Sequence, residues 1–202
     1  MRFLDFKQKF TEFNVIKYQD IRNYFSELNQ PQISLWKKKG YIKSVRKGMY
    51  VLSDTDVDNL LLSNEMNDSY ISMEFALSYY QIIPEITPSI TCVSNNRSEN
   101  VVNEFGNFYY HKITSKLFFG FILAESSKKE KRFIRIAEKE KALFDLIYFR
   151  SDLKNEKDFD SLRLNIEKIN LRKINKYINL VDAPQIKKRL SNFVKYLNAL
   201  TK

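Results

Sequence analysis

The sequence predicts an α+β chain. An N-terminal winged helix-turn-helix is expected over residues 1–53 and a linker over 54–69. A mixed α/β domain then follows over 70–202, with its α/β core to about residue 150 and a helical tail after that. Three observations carry this prediction. Residues 30–52 read Q-P-Q-I-S-L-W-K-K-K-G-Y-I-K-S-V-R-K-G-M-Y-V-L, a short helix pattern and then two strand-like runs around a Gly-containing turn. Between residues 89 and 136, runs of strand composition alternate with Asn and Gly punctuation. From about Asp158 onward the apolar residues recur at helical spacing.

The first helix is expected over residues 2–13, where Phe3, Phe6, Phe10 and Phe13 form one apolar stripe. A second runs from about Tyr18 to Leu28 and buries Ile21, Phe25 and Leu28. The third spans Pro31–Lys39. Pro31 suits a first helical turn because its φ is fixed and it has no N–H to satisfy, and Gly40 suits the left-handed residue that ends a helix. Ile33 and Trp36, three apart, face inward together, so Ser34, Lys37 and Lys38 point elsewhere. Ile42 and Val45 lead into the turn, and Tyr50 and Leu52 leave it at strand spacing. A core of Phe6, Phe10, Ile21, Phe25, Trp36 and Tyr50 is expected to close this unit.

Residues 53–69 change the composition, with Asp54, Asp56, Asp58, Glu65 and Asp68 and no base. The aspartates lack the glycine and distal glutamate of a calcium loop and read as the acidic first turn of a short linker helix. Beyond them, Ser72 is a candidate N-cap, Phe75, Ala76, Tyr79 and Tyr80 mark a buried helical face, and Pro84 ends it. Strands are expected at Ser89–Ser94, Phe108–Ile113, Leu117–Leu123 and Arg132–Ile136. A helix follows with Ala142, Leu143, Leu146 and Ile147 inward. The tail's apolar positions are Leu162, Ile166, Ile169, Ile174, Ile178, Ile186, Leu190, Phe193 and Leu197.

Charge is unevenly distributed along the 202 residues. Residues 1–52 hold eleven basic and four acidic residues, a net of +7. Residues 53–150 have a net of −3 and residues 151–202 a net of +6, together giving the overall +10. Local clusters of this kind bind phosphates by releasing counterions, so double-stranded DNA is the expected partner. A basic helix followed by a basic hairpin is the outline of a winged helix, which lays the helix in the major groove. The expected DNA-binding residues are Gln32, Ser34, Lys37, Lys38, Lys39, Lys43, Arg46 and Lys47. Gln32, Ser34 and Lys37 are candidates for base edges; Lys38, Lys39, Arg46 and Lys47 suit phosphates or the minor groove. On the tail, Arg172, Lys173, Lys176, Lys187, Lys188 and Arg189 are expected to be a solvated face.

Catalytic and metal chemistry find little to stand on. One histidine, His111, and one cysteine, Cys92, give neither a metal cluster nor an internal disulfide, and a lone cysteine fits a reducing cytoplasm. The four glycines are too scattered for a phosphate loop. Glu138-Lys139-Glu140-Lys141 hints at a metal-dependent nuclease, but no further acid stands on a neighbouring strand, and the segment reads equally as a helix start. No cofactor, no metal and no enzymatic activity are expected. With no signal-like run at the N-terminus and no segment of membrane-span length, the chain is expected to be cytoplasmic.

Four segments in order carry a family resemblance. They are the basic helix and hairpin ending G-M-Y-V-L, Y-I-S-M-E-F-A-L-S-Y-Y-Q-I-I-P-E, F-Y-Y-H-K-I-T-S-K-L-F-F-G-F, and I-R-I-A-E-K-E-K-A-L-F-D-L-I-Y. In these the chain resembles the AbiEi family, antitoxins and transcriptional regulators of type IV (abortive infection) toxin–antitoxin systems. The resemblance implies an N-terminal winged helix that represses its own operon, through inverted repeats, and a C-terminal domain needed for antitoxicity. It also implies a nucleotidyltransferase-like toxin as functional partner, without a stable complex between the two. A monomer in solution, or a weak dimer on DNA, is expected. The family pattern often has Asp-Pro before the glutamate at Glu140, where this chain has Glu138-Lys139, a departure expected to affect helix capping. Two other readings stay open: a stand-alone winged-helix regulator without a toxin, and a DNA-processing nuclease.

Overall fold

The computed structural model describes residues 2–128 and 131–200. Met1, and Thr201 and Lys202 at the end of the expected second domain, lie outside the described residues. Among those residues the chain mixes nine α-helices with two sheets.

The first 52 residues form α1 (Phe3–Phe10), β1 (Ile16–Lys17), α2 (Tyr18–Tyr24), α3 (Gln30–Lys38), β2 (Ile42–Arg46) and β3 (Met49–Leu52). The phenylalanine stripe works as expected: Phe6 and Phe10 are fully buried with rings 4.8 Å apart. They share a small core with Ile21, Leu28, Ile33, Trp36, Ile42, Tyr50 and Leu52, against which Phe25 packs half-buried. Helix α1 stops at Phe10, and Phe13 is reached by a turn closed by its N–H on the Phe10 carbonyl at 3.0 Å. Likewise α2 stops at Tyr24, and a turn from Phe25 to Leu28 delivers Leu28 to the core. The two-residue β1 was not expected, because two residues show no periodicity. It pairs antiparallel with β3, Ile16 opposite Tyr50, in a three-stranded sheet of order β1-β3-β2.

The larger part contains α4 (Asn59–Met66), β4 (Ser69–Ile71), α5 (Met73–Tyr79), β5 (Ile90–Ser94), β6 (Glu99–Asn103), β7 (Gly106–Lys112), β8 (Phe121–Glu125), β9 (Phe133–Ala137), α6 (Lys139–Phe149), α7 (Glu156–Asp160), α8 (Leu171–Ile178) and α9 (Pro184–Leu200). Its six strands lie in the order β6-β7-β5-β4-β9-β8. The pairs β5–β7 and β4–β9 are parallel, and β4–β5 and the two outermost pairs are antiparallel. Helix α6 runs through the core, with Ala142, Leu143, Phe144, Leu146 and Ile147 all at 0% exposure. Each large side chain among them contributes about 1.5–3 kcal/mol by leaving water.

Several expectations need revision. The segment read as a linker over 54–69 contains α4, whose Leu61, Leu62 and Met66 are buried in the larger core, and ends on β4. Tyr79, expected on the buried face of α5, is exposed; the buried residues are Met73, Ala76 and Leu77. That helix ends well before Pro84, because Gln81 takes a left-handed φ of 55°. The strand expected at Leu117–Leu123 is a 3-10 turn at Ser115–Leu117 followed by β8 from Phe121. Gly120 separates the two at φ 76°, where an added Cβ would also come within 3.0 Å of the Lys141 side chain. The helical tail is no appendage: Ile174, Ile178, Leu190, Phe193 and Leu197 are all buried in the larger core.

The β2–β3 hairpin belongs to both cores. Ile42, Tyr50 and Leu52 face the small one, while Val45 and Val51 enter the large one with Val15. The alternation of a strand puts successive side chains on opposite faces, and here both faces are covered.

Candidate nucleic-acid interface

Helix α3 is built for a clean start and stop. The Asn29 side-chain oxygen accepts the Gln32 N–H at 3.1 Å, Pro31 sits in the first turn, and Gly40 leaves at φ 69° with the Tyr41 N–H on the Trp36 carbonyl. Its inner side is anchored by Ile33 and by Trp36, whose ring lies 4.9 Å from Phe6 and 5.3 Å edge-on from Phe3. At about 100° per residue, this turns Pro31, Ser34, Leu35 and Lys38 directly outward. Lys37 and Gln32 flank the buried side.

The structure divides the eight expected residues into two groups. Ser34, Lys37, Lys38, Lys39 and Lys47 are exposed, and Gln32 is half-buried. Among the described residues none of these four lysines has an acidic partner; the Lys39 ammonium lies 5.9 Å from the Tyr41 ring. Lys37 and Lys38 also sit in the last turn of α3, where the helix dipole favours positive charge. Lys43 and Arg46 belong to the second group. The Lys43 ammonium meets Glu104 at 2.5 Å. The Arg46 guanidinium donates to Glu99 Oε1 and to the Met66 carbonyl, each at 3.0 Å. These two hairpin residues tie β2 to β6 and to the end of α4, helped by Asn103 Nδ2 donating to the Val45 carbonyl at 3.0 Å.

The exposed face also holds residues that charge counting passes over. Leu35 is 48% exposed on the outward side of α3, an apolar contact beside Ser34 and Lys38. The helical arithmetic that placed those two would have found it. Tyr41 is exposed and its ring lies 4.6 Å from Phe3.

The acidic segments have structural work of their own. Asp54 pairs with Lys7, and Asp56 with Lys128 at 2.9 Å. Buried Asp58 caps α4 by accepting the Leu60 and Leu61 N–H groups, and its own N–H goes to Asn14 Oδ1 at 2.9 Å. Glu138 starts α6 without a side-chain cap and instead pairs with Lys173, while Glu140 Oε1 accepts the Asn170 N–H at 2.9 Å. Lys141 and Asp145 form an ion pair at 0% exposure, and Asp145 Oδ2 also accepts from Ser72 Oγ at 2.7 Å and Tyr70 Oη at 3.0 Å. Burial pushes the Asp145 carboxyl up and the Lys141 ammonium down, each partly offset by the other. Ser72, expected as an N-cap, serves this pair. Cys92 is fully buried and its thiol is pushed up to about 12 by desolvation. Among the described residues no three His, Cys, Asp or Glu side chains converge as a metal site. Among them, too, no helix is long and apolar enough to cross a membrane.

Comparison with protein-family models and with curated proteins finds no match for this chain.

Proposed function

We propose that this protein binds duplex DNA through a winged helix formed by residues 1–53, with α3 as the reading helix and the hairpin tip at Lys47 beside it. In this reading it represses its own operon and acts as the antitoxin against a nucleotidyltransferase-like toxin. The observation that carries the DNA-binding part is the outward face of α3. Ser34, Leu35 and Lys38 point to solvent there, Lys37 and Lys39 flank them, and no carboxylate neutralises the lysines among the described residues. Ser34 and Lys37 would meet base edges; Lys38, Lys39 and Lys47 would meet phosphates. The antitoxin part rests on the resemblance in the four ordered segments. Antitoxicity is assigned to the region from residue 70 onward, and no stable complex with the toxin is required.

The test is a titration of the full chain on its own promoter across salt concentrations. Lys38→Ala with Lys47→Ala should weaken binding to all sequences and flatten the log–log salt slope by roughly 2 units. An unchanged slope would remove both lysines from the interface. Co-expression with a nucleotidyltransferase encoded beside the gene tests the second part: growth must be rescued by the full chain and by the double variant alike.

A further inference from the structure

The two edges of the six-stranded sheet are treated differently. At one edge, β6 reads E-N-V-V-N and is screened by the N-terminal unit through the Arg46–Glu99 pair and the Asn103 contact to Val45. At the other edge, β8 reads F-I-L-A-E, and among the described residues no strand pairs with it beyond β9. Edge strands are usually protected by lysine, proline, a bulge or a covering element, because unpaired N–H and C=O groups invite another strand. Strand β8 holds no lysine, proline or bulge, its one charge is the terminal Glu125, and among the described residues no further strand covers it. Leu123 is 65% exposed, Ile122 44%, and Phe133 on the adjoining β9 53%.

The register shows which backbone groups are open. The Glu138 N–H bonds to the Gly120 carbonyl and the Ser126 N–H to the Arg132 carbonyl, so the even-numbered residues of β8 point their N–H and C=O groups at β9. Those of Phe121, Leu123 and Glu125 therefore point outward, and among the described residues nothing bonds to them.

We infer that β8 pairs antiparallel with β8 of a second copy of this chain, about a twofold axis at Leu123. A second copy fits because the strand is complementary to itself in that register. Leu123 meets Leu123 of the other copy, Phe121 meets Glu125, and Ile122 packs beside Ala124 on the opposite face. The two Glu125 carboxylates are kept four residues apart along the ribbon. Outward groups of all three residues then satisfy one another across the axis. A five-residue ribbon covers less than the roughly 1,200 Å² typical of stable complexes, so the pair forms weakly and reversibly. This inference does not depend on DNA binding.

Sedimentation of the full chain over a concentration series, without DNA, tests it. The wild type should shift from monomer to dimer as concentration rises. Because residue 123 faces its own copy, Leu123→Glu and Leu123→Lys should each lower the association constant at least tenfold. Mixing the two variants should restore it. Leu123→Pro removes only an outward N–H and should also abolish pairing while leaving the fold intact by circular dichroism. A wild type that stays monomeric to millimolar concentration overturns the inference. So does a dimer that both charge variants retain, or one that the mixture fails to restore.

Discussion

Removing one half of the buried Lys141–Asp145 pair should be among the most damaging single changes in this protein. Lys141→Met leaves a carboxylate with two hydroxyl donors, Ser72 and Tyr70, and no cation. Asp145→Leu leaves an ammonium surrounded by the rings of Phe144, Phe119 and Tyr70 at 4.8, 5.3 and 5.5 Å, and strips both hydroxyls of their acceptor. Breaking a buried pair in this way costs about 3–5 kcal/mol, because an uncompensated charge stays in the interior. Lys141→Met should fall at the lower end, since the hydroxyls still hold the carboxylate, and Asp145→Leu at the upper end. For a chain of this size that is a loss of roughly 6–20 °C in Tm. The double variant Lys141→Met/Asp145→Leu removes both charges together and should cost less than either single change. The assay is urea unfolding of all four proteins followed by circular dichroism, read as a double-mutant cycle. Single variants that each cost under about 1 kcal/mol, or effects that simply add, would refute the picture of a dry, mutually dependent pair.

Other outcomes are expected. His111 is the only histidine, and burial holds its imidazole below the ordinary value against the opposing pull of Glu74 and Asp145. Its contribution to stability should therefore be complete above the unfolded value of about 6.5 and be lost as pH falls through the folded one. An NMR titration of the single imidazole reads the shift, and His111→Gln should remove that share of the pH dependence. Glu104→Gln should change stability by less than about 1 kcal/mol, since the pair with Lys43 is solvent-screened. If Lys43 reaches phosphate once freed, the operator salt slope steepens by about 0.9; an unchanged slope assigns Lys43 to the intramolecular contact. A fragment of residues 1–57 should unfold at a lower temperature than the intact chain, because Val15, Val45 and Val51 lose their cover, at about 1.5–3 kcal/mol each. Thermal circular dichroism of the fragment checks this, and a fragment as stable as the whole would show that the two cores are independent.

Where a stretch carried its own periodicity, its sequence was readable. The Phe6–Phe10 stripe, the inward Ile33 and Trp36, the turn at Gly48 and the buried side of α6 are all local patterns, set by residues a few positions apart. Misreadings occurred where distant partners decide. Leu61 and Leu62 sit among acids and polar residues, and only the sheet packed against α4 makes them core. Strand β6 alternates weakly and is defined by its pairing with β7. In the candidate interface, Lys38 and Lys47 could be placed outward from the helix and turn alone. Nothing near Lys43 or Arg46 in sequence announces Glu104 or Glu99, which lie more than fifty positions away. The Glu138–Lys141 segment illustrates the same limit: as a string it hints at a metal-dependent nuclease, and in the fold Glu138 pairs with Lys173, Glu140 accepts the Asn170 N–H and Lys141 faces Asp145 in the interior.

The shared hairpin constrains how the N-terminal unit can act. Strands β2 and β3 give one face to the small core and the other to the large one, so the hairpin cannot tilt without disturbing both. Arg46, held by Glu99 and the Met66 carbonyl, fixes the strand that ends at the turn, and Asn14 fixes the chain before β1 through Asp58 and Glu65. The exposed lysines of α3 are therefore presented on a scaffold oriented by the larger part of the chain. If α3 reads DNA, its aim is set by residues such as Glu99 and Asn14 that never touch the duplex, and substitutions there should alter operator affinity while leaving every outward side chain in place.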